Sequence, residues 1–401
     1  MKILHTADWH IGKKLHKVDL HQDFSLFVDW LCEVIQNENI DVLLVSGDIF
    51  DFSNPSSESR TLYYQTLMKL KKFNLKIILT GGNHDSPNVL DAPKELLNQL
   101  DIHVIGRMPE NVEDCLIPIL KNNEVEIVVA AIPYLRSQDL KKQYKAEDYD
   151  SKIEAIQHSI AYHFQETAKV SKTKFPDKPL LGMGHLYAVG VALSDSERDI
   201  QIGNLAGLEA KHFGNLYDYI ALGHIHKPQK LNAKTPIFYS GSPIPLSFSE
   251  RKNDKRILII DTETDFEPQS LSVPKFRNLK LIKGNLDDIR TKLEQVENSE
   301  ELDTLIEIQM QDIDFSATKN AELESLIENF STENCKIVKH KISYQNQPKG
   351  SADLYKSEDN IQDLNVSDVF RKKLDATDET EVSKIELIDA FESILDELNI
   401  Y

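Results

Sequence analysis

The stretch Lys2-Ile-Leu-His5, followed at once by Thr6-Ala-Asp-Trp-His10, decides how the chain reads. A short aliphatic run of this kind predicts a buried strand, and here it ends in a carboxylate and an imidazole two residues apart. In extended chain leaving a strand, an i, i+2 pair points both side chains to one side, towards a single ion. Similar runs recur at Val42–Val45, Ile77–Leu79, Leu180–Met183, Tyr219–Leu222 and Ile237–Tyr239. Four of them lead into Gly47-Asp-Ile-Phe-Asp51, Gly81-Gly-Asn-His-Asp85, His185 and Gly223-His-Ile-His226. Helical periodicity lies between them, at Asp23–Asn37, Ser57–Leu70 and Ser151–Ala168, with Asp23 and Ser57 as predicted N-caps. Strand runs alternating with amphipathic stretches predict an α/β architecture around a largely buried sheet. Val125–Ile132 and Arg256–Ile260 carry no such residue after them and read as sheet framework.

In open α/β sheets, functional groups gather just beyond the carboxyl ends of the strands. The candidate groups Asp8, His10, Asp48, Asp51, Asn83, His84, Asp85, His185, His224 and His226 all fall at such ends. A donor set of carboxylate, imidazole and carboxamide without thiolate favours Mn, Fe or Zn over a soft-metal site or an all-oxygen calcium site. Phosphate-ester hydrolysis needs charge neutralised on an anion and a nucleophile potent at neutral pH. Two divalent ions sharing a carboxylate meet both needs. His5 and His103 lie inside strand runs and read as structural, His158 and His163 as helix residues, and Trp9 as packing.

Composition bounds the alternatives. At roughly 150 residues per domain, 401 residues predict two or three domains. No apolar run approaches the ~18 residues of a membrane span, and the charged N-terminus lacks a secretion-signal layout. Cys32, Cys115 and Cys335 are odd in number and widely spaced, so neither a disulfide framework nor a thiolate zinc site is expected and a cytoplasmic location is. The net charge of −19 argues at first against a nucleic-acid partner. Its distribution answers that objection: residues 1–275 hold 31 basic and 37 acidic residues, residues 276–401 hold 15 and 28.

The ordered motifs Asp8-x-His10, Gly47-Asp-x-x-Asp51, Gly82-Asn-His-Asp85, solitary His185 and Gly223-His-x-His226 resemble the calcineurin-like metallophosphoesterase superfamily. With Gly223-His-Ile-His-Lys-Pro228 and Tyr239-Ser-Gly-Ser-Pro243, the resemblance is closest to the nuclease subunits of bacterial SbcCD complexes. It covers residues 1–275 by motif and the rest by layout. It implies a metallophosphoesterase sandwich over 1–275, a small α/β capping domain over 276–345, a linker over 346–363 and a helical segment over 364–401. It further implies two Mn ions, one held by Asp8, His10, Asp48 and His226, the other by Asp48, Asn83, His185 and His224, with Asp48 bridging. His84 would be the catalytic histidine, and Asp51 and Asp85 the carboxylates that orient the ligands. The implied activity is ATP-assisted exonuclease action on duplex DNA ends and endonuclease action on hairpins, in DNA repair and recombination. The implied partners are double-stranded DNA, a second copy of the chain and the SbcC ATPase, whose coiled coil Leu364–Leu374 and Glu386–Leu398 would dock. The alternative reading is a small-molecule phosphodiesterase or phosphatase on the same core; phosphoprotein phosphatases differ in carrying Arg-Gly where Phe52-Ser53 stand here.

A nuclease without sequence preference grips phosphates rather than base edges. Lys13, Lys14 and Lys17, just after the first motif, are candidate DNA contacts. A second basic run, Arg251, Lys252, Lys255 and Arg256, offers Arg251 and Lys252 for the same role.

Overall fold

The computed structural model describes residues 1–141, 152–192, 197 and 207–346, together with Phe370, Leu374, Leu387, Ile388, Ala390 and Phe391. The chain forms two compact units, one of Met1–Lys280, Glu297–Glu307 and Thr332–Val338, the other of Leu281–Val296, Ile308–Ser331 and Lys339–Tyr401.

The first unit begins with β1 (Lys2–Thr6), a short hairpin of β2 (Lys14–Leu15) and β3 (Val18–Asp19), α1 (His21–Glu38), β4 (Val42–Ser46), α2 (Ser57–Leu70) and β5 (Lys76–Thr80). It continues through α3 (Pro87–Asp91), α4 (Lys94–Asn98), β6 (Ile102–Ile105), β7 (Leu116–Lys121), β8 (Glu124–Ala131), α5 (Ser137–Lys141) and α6 (Lys152–Lys174). Then come β9 (Leu180–His185), β10 (Tyr219–Gly223), β11 (Gln229–Lys230), β12 (Ile237–Tyr239), β13 (Arg256–Asp261) and β14 (Gln269–Ser272). One sheet has the order β14-β13-β1-β4-β5-β6, the other β11-β12-β10-β9-β8-β7. Within them β1, β4, β5 and β6 run parallel, as do β8, β9, β10 and β12. Parallel pairing therefore puts the carboxyl ends of β1, β4 and β5 on one edge, and those of β9 and β10 on one edge of the other sheet.

Side chains alternate across a strand, so each sheet has two buried faces here. Ile3, Val42, Leu44 and Ile78 of the first sheet share a core with Ile127, Val129, Leu181, Met183 and Ala221 of the second. The opposite faces, Leu4, Leu43, Val45 and Leu79 on one side and Val128, Ala130, Leu180 and Leu222 on the other, pack with α1 and α2 residues and with α6 residues respectively. The result is a four-layer sandwich of two sheets between helices. The calcineurin-like sandwich expected from the motifs is the fold observed. Reading from periodicity alone as far as one buried sheet stopped short, because nothing local in a strand states which sheet it joins.

Two of the expected caps are corrected. Leu20 stands at the N-cap of α1 without a side-chain bond, and Ser56, whose Oγ accepts from the Ser59 N–H, caps α2 in place of Ser57. Asp23 instead lies in the first turn of α1, where Arg277 takes its carboxylate with Nε–H at 2.7 Å and Nη2–H at 2.9 Å. Both side chains are under a tenth exposed, and Arg277 also donates to the Asp303 carbonyl. Breaking a buried pair strands the surviving charge, so Asp23→Ala is expected to cost about 3–5 kcal/mol, read from the urea midpoint. A loss below about 1 kcal/mol would show that water reaches Arg277.

Beyond the sandwich, β15 (Arg277–Gly284), α7 (Leu286–Glu294), β16 (Leu302–Asp314), α8 (Ala317–Glu328) and β17 (Cys335–Asn346) follow, the strands pairing in the order β15-β16-β17. In the second unit, α7 opens with a full capping box, Asn285 with Asp288, and buries Leu286, Ile289 and Leu293. Apart from Asn346 and the six separate positions named above, residues 346–401 lie outside the described residues, and with them most of the expected linker and docking helices. Phe370 and Phe391 stack with ring centroids 3.9 Å apart. Among the described residues no helix is long and apolar enough to cross a membrane.

Candidate metal centre

Tight backbone geometry brings the strand ends together. Asp8 N–H donates to Gly47 O, and His10 N–H to Asp48 O, so the turns after β1 and β4 are laced to each other. Asp8, His10, Asp48 and His224 all hold positive φ, at 53°, 46°, 49° and 98°. Such backbone costs of order 1–3 kcal/mol per residue and persists where the surroundings over-determine it, which is a mark of functional sites. Gly82 has no room for a side chain: a Cβ there would collide with Asp48 Oδ1 and its backbone nitrogen.

Six of the seven candidate ligands are buried, and Asn83 is half-buried. The Asp48 carboxylate is central. Its Oδ2 lies 3.5 Å from His10 Nε2 and 3.4 Å from His185 Nε2, while Oδ1 accepts the His84 N–H at 2.9 Å. Asp8 Oδ1 accepts the His224 N–H at 2.8 Å, and its other oxygen is buried without a hydrogen-bond partner. Asn83 Oδ1 lies 2.9 Å from His185 Nε2 and 3.2 Å from His224 Nδ1.

The imidazole tautomers then follow from their outer partners. His10 Nδ1 faces Asp51 Oδ1 at 3.2 Å, His185 Nδ1 faces Ser46 O at 3.0 Å and His226 Nδ1 faces Glu250 Oε1 at 3.4 Å. Each of these Nδ1 atoms donates to an oxygen, so in the neutral rings each Nε2 presents a lone pair. His10 Nε2 and His226 Nε2 nevertheless stand 3.1 Å apart, and His185 Nε2 points at carbonyl and carboxylate oxygens. Lone pairs so close repel unless a cation lies between them. Ligand atoms of Asp8, His10 and His226 fall within 4.8 Å of one another, and so do those of Asp8, Asp48 and His185. The donor set and its closely spaced imidazole nitrogens fit divalent cations.

The electrostatics agree. Burial pushes the Asp8 carboxyl up to about 7, with Asp48 adding to the rise and His185 opposing it. Burial acts on Asp48 too, but His185, His10 and His84 together hold it well below the carboxylate range. Burial lowers His185, yet Asp48 and Asp8 carry it to about 9. The two buried carboxylates thus make a field that favours positive charge between them.

Around these ligands, His84 Nδ1 donates to the Asp51 carbonyl at 2.8 Å, which leaves Nε2 directed to within 3.9 Å of Asp48 Oδ2. Asp51 itself also receives Lys13 Nζ at 3.2 Å. Despite burial, His10 and Lys13 bring the Asp51 carboxyl down to about 2. The Asp85 carboxylate accepts the N–H groups of Ile49, Phe50 and Gly82 and so ties the loop after β4 to the loop after β5. Burial and then Asp48 raise its carboxyl to about 6, against those N–H donors. His5 is buried beside Tyr219 OH, away from the cluster, and burial drops it to about 3. Trp9 is fully buried against Phe24.

Of the basic residues, Lys14, Lys17 and Lys252 are exposed, and Arg251 is half-buried with Nη1 on the Phe248 carbonyl. Lys255, read in sequence as part of a basic run, is instead buried in an ion pair with Glu250. Glu250 went unread because nothing local marks it: the carboxylate lies 24 positions after the histidine it touches. Its one sequence cue is its nearness to Ser240-Gly-Ser-Pro243, whose Ser242 Oγ donates to it.

Two sheets whose strand ends gather Asp8, His10, Asp48, His185, His224 and His226 are the arrangement of a metallophosphoesterase. Residues 1–228 match the family model of calcineurin-like phosphoesterases, and residues 275–378 match that of the type 5 capsule protein repressor C-terminal domain. The chain is 30% identical to SbcD, the D component of the SbcCD nuclease, of Escherichia coli K12 over 93% of its length and 92% of that protein. Identity to the same-named protein of Rhodobacter capsulatus is 34% over 69% of the chain and 70% of the relative. With that of Bacillus subtilis it is 31% over 66% of each. The chain belongs to the calcineurin-like phosphoesterase family and, within it, to the SbcD nucleases.

Proposed function

We propose that the chain is the nuclease subunit of an SbcCD-type complex, cleaving phosphodiester bonds at duplex DNA ends and hairpins. It is a metal-dependent phosphodiesterase, and divalent ions are its cofactors. Manganese as the particular ion, an SbcC-type ATPase as the partner and a homodimer as the assembly are parts of the proposal. The observation that carries it is the Asp48 Oδ2 atom, set almost equally from His10 Nε2 and His185 Nε2.

Asp8, His10, His226 and Asp48 would hold one ion, and Asp48, Asn83, His185 and His224 the other. When bound, the ions neutralise phosphate charge and lower the pKa of water. His84 is held through Nδ1–H by the Asp51 carbonyl, which fixes its ring so that, as the imidazolium, it would give its Nε2 proton to the leaving 3′-oxygen or stabilise charge on the transferring phosphate. Asp51 orients His10, and Asp85 holds the loop that presents Asn83 and His84. Exposed Lys14 and Lys17, with Lys252 and Arg251, supply charge for the DNA backbone, while Lys13 is drawn inward to Asp51. Residues 1–275 act as the nuclease domain and 276–345 as its cap; 346–363 link to a docking segment for the coiled coil.

The deciding experiment titrates Mn in cleavage assays on linear duplex, hairpin duplex and bis-nitrophenyl phosphate, with and without an SbcC-type partner. DNA cleavage that rises with Mn and with the partner and ATP is expected. Hydrolysis of the small ester with no cleavage of any DNA, partner included, would replace this reading with a small-molecule phosphodiesterase.

A further inference from the structure

The two cation positions differ in what stands behind their imidazoles. Behind His226, Glu250 Oε1 faces Nδ1, and Glu250 Oε2 accepts from Lys255 Nζ, Ser242 Oγ and the Leu246 N–H. Lys255 Nζ also donates to the His226 carbonyl at 3.2 Å, so one buried ion pair grips this residue at both ring and backbone. Neither member reaches solvent: Glu250 is fully buried and Lys255 is 6% exposed. Behind His10 the same order repeats, imidazole Nδ1, then the Asp51 carboxylate, then Lys13 Nζ. In the other group His185 Nδ1 bonds to the Ser46 carbonyl, with Asp8 Oδ1 further off at 3.9 Å, and His224 Nε2 is buried without a hydrogen-bond partner.

Carboxylate backing fixes an imidazole's tautomer and makes its ligating nitrogen a better donor than a neutral carbonyl does. Resting on the two-ion reading above, we infer that Glu250 and Lys255 form a positioning pair for His226, and that the Asp8–His10–His226 position is the tighter of the two. The lysine keeps Glu250 ionised and its carboxylate in place, and the pair takes no part in the chemistry itself.

The test is a Mn titration followed by calorimetry and by the electron paramagnetic resonance of the bound ion, with no substrate present. The natural chain is expected to fill in two unequal steps. The double variant Glu250→Leu with Lys255→Met removes both charges and keeps the volume, an exchange that buried pairs tolerate. In it the tighter step weakens about 10–100-fold, while the weaker step, whose imidazoles Glu250 and Lys255 do not touch, changes by less. Glu250→Gln, which keeps shape and a carbonyl acceptor for Nδ1–H, is expected to fall between, and serves if the double variant melts early. Two equal steps in the natural chain, or both steps unchanged or weakened alike in a folded variant, would overturn the inference. A natural chain that takes up no Mn would instead overturn the metal reading beneath it.

Discussion

Replacing His84 by Ala is expected to leave Mn uptake intact and to lower phosphodiester cleavage ~100-fold or more, the usual contribution of a positioned general acid. The backbone bond from His84 N–H to Asp48 Oδ1 survives the change. What is lost is the ring, 4.6 Å from His10 between centroids, and its bond to the Asp51 carbonyl. Calorimetric Mn binding and single-turnover cleavage on one preparation separate the outcomes. Unchanged cleavage would remove His84 from the reaction. Loss of an ion along with activity would make it a ligand, a role its 3.9 Å approach to Asp48 Oδ2 leaves room for.

A larger loss is expected from Asp48→Asn, on the order of 10³-fold or more at saturating Mn. Removing one electrostatic stabiliser costs roughly 10²–10³ in rate, and this change disturbs both cation positions at once. Asparagine is the informative choice because Asp48 has φ 49°, a conformation that Asn tolerates and Ala resists. It also keeps an oxygen for the His84 N–H. The neutral amide cannot bridge two ions, so Mn stoichiometry is expected to drop below two per chain. Full stoichiometry with normal cleavage would dismiss the shared carboxylate and the two-ion mechanism with it.

Much of the centre was legible in the chain because each candidate ligand sits within four residues of a strand's end. Thr6 to Asp8, Ser46 to Asp48, Thr80 to Asn83, and Gly223 to His224 are local relations, readable as an apolar run followed by a donor. The α2 boundaries, Ser57–Leu70, were read correctly for a similar reason, since periodicity is local, although the cap itself is Ser56 and not Ser57. The cap of α1 was misread because Asp23 is claimed by Arg277, which lies 254 positions away. Lys255 was misread likewise, since a basic run on paper does not reveal that one of its members turns inward to Glu250.

By itself the sequence determined which residues end the strands and what donor chemistry they bring, because hydrophobic periodicity and turn residues act over a few positions. Only the tertiary structure decided that the strands divide between two sheets, and that one Asp48 oxygen faces both His10 and His185. It alone decided that Asp51 backs His10, Glu250 backs His226 and the Ser46 carbonyl backs His185. Such relations join residues tens to hundreds of positions apart, set by packing and burial, and no local pattern in the chain encodes them.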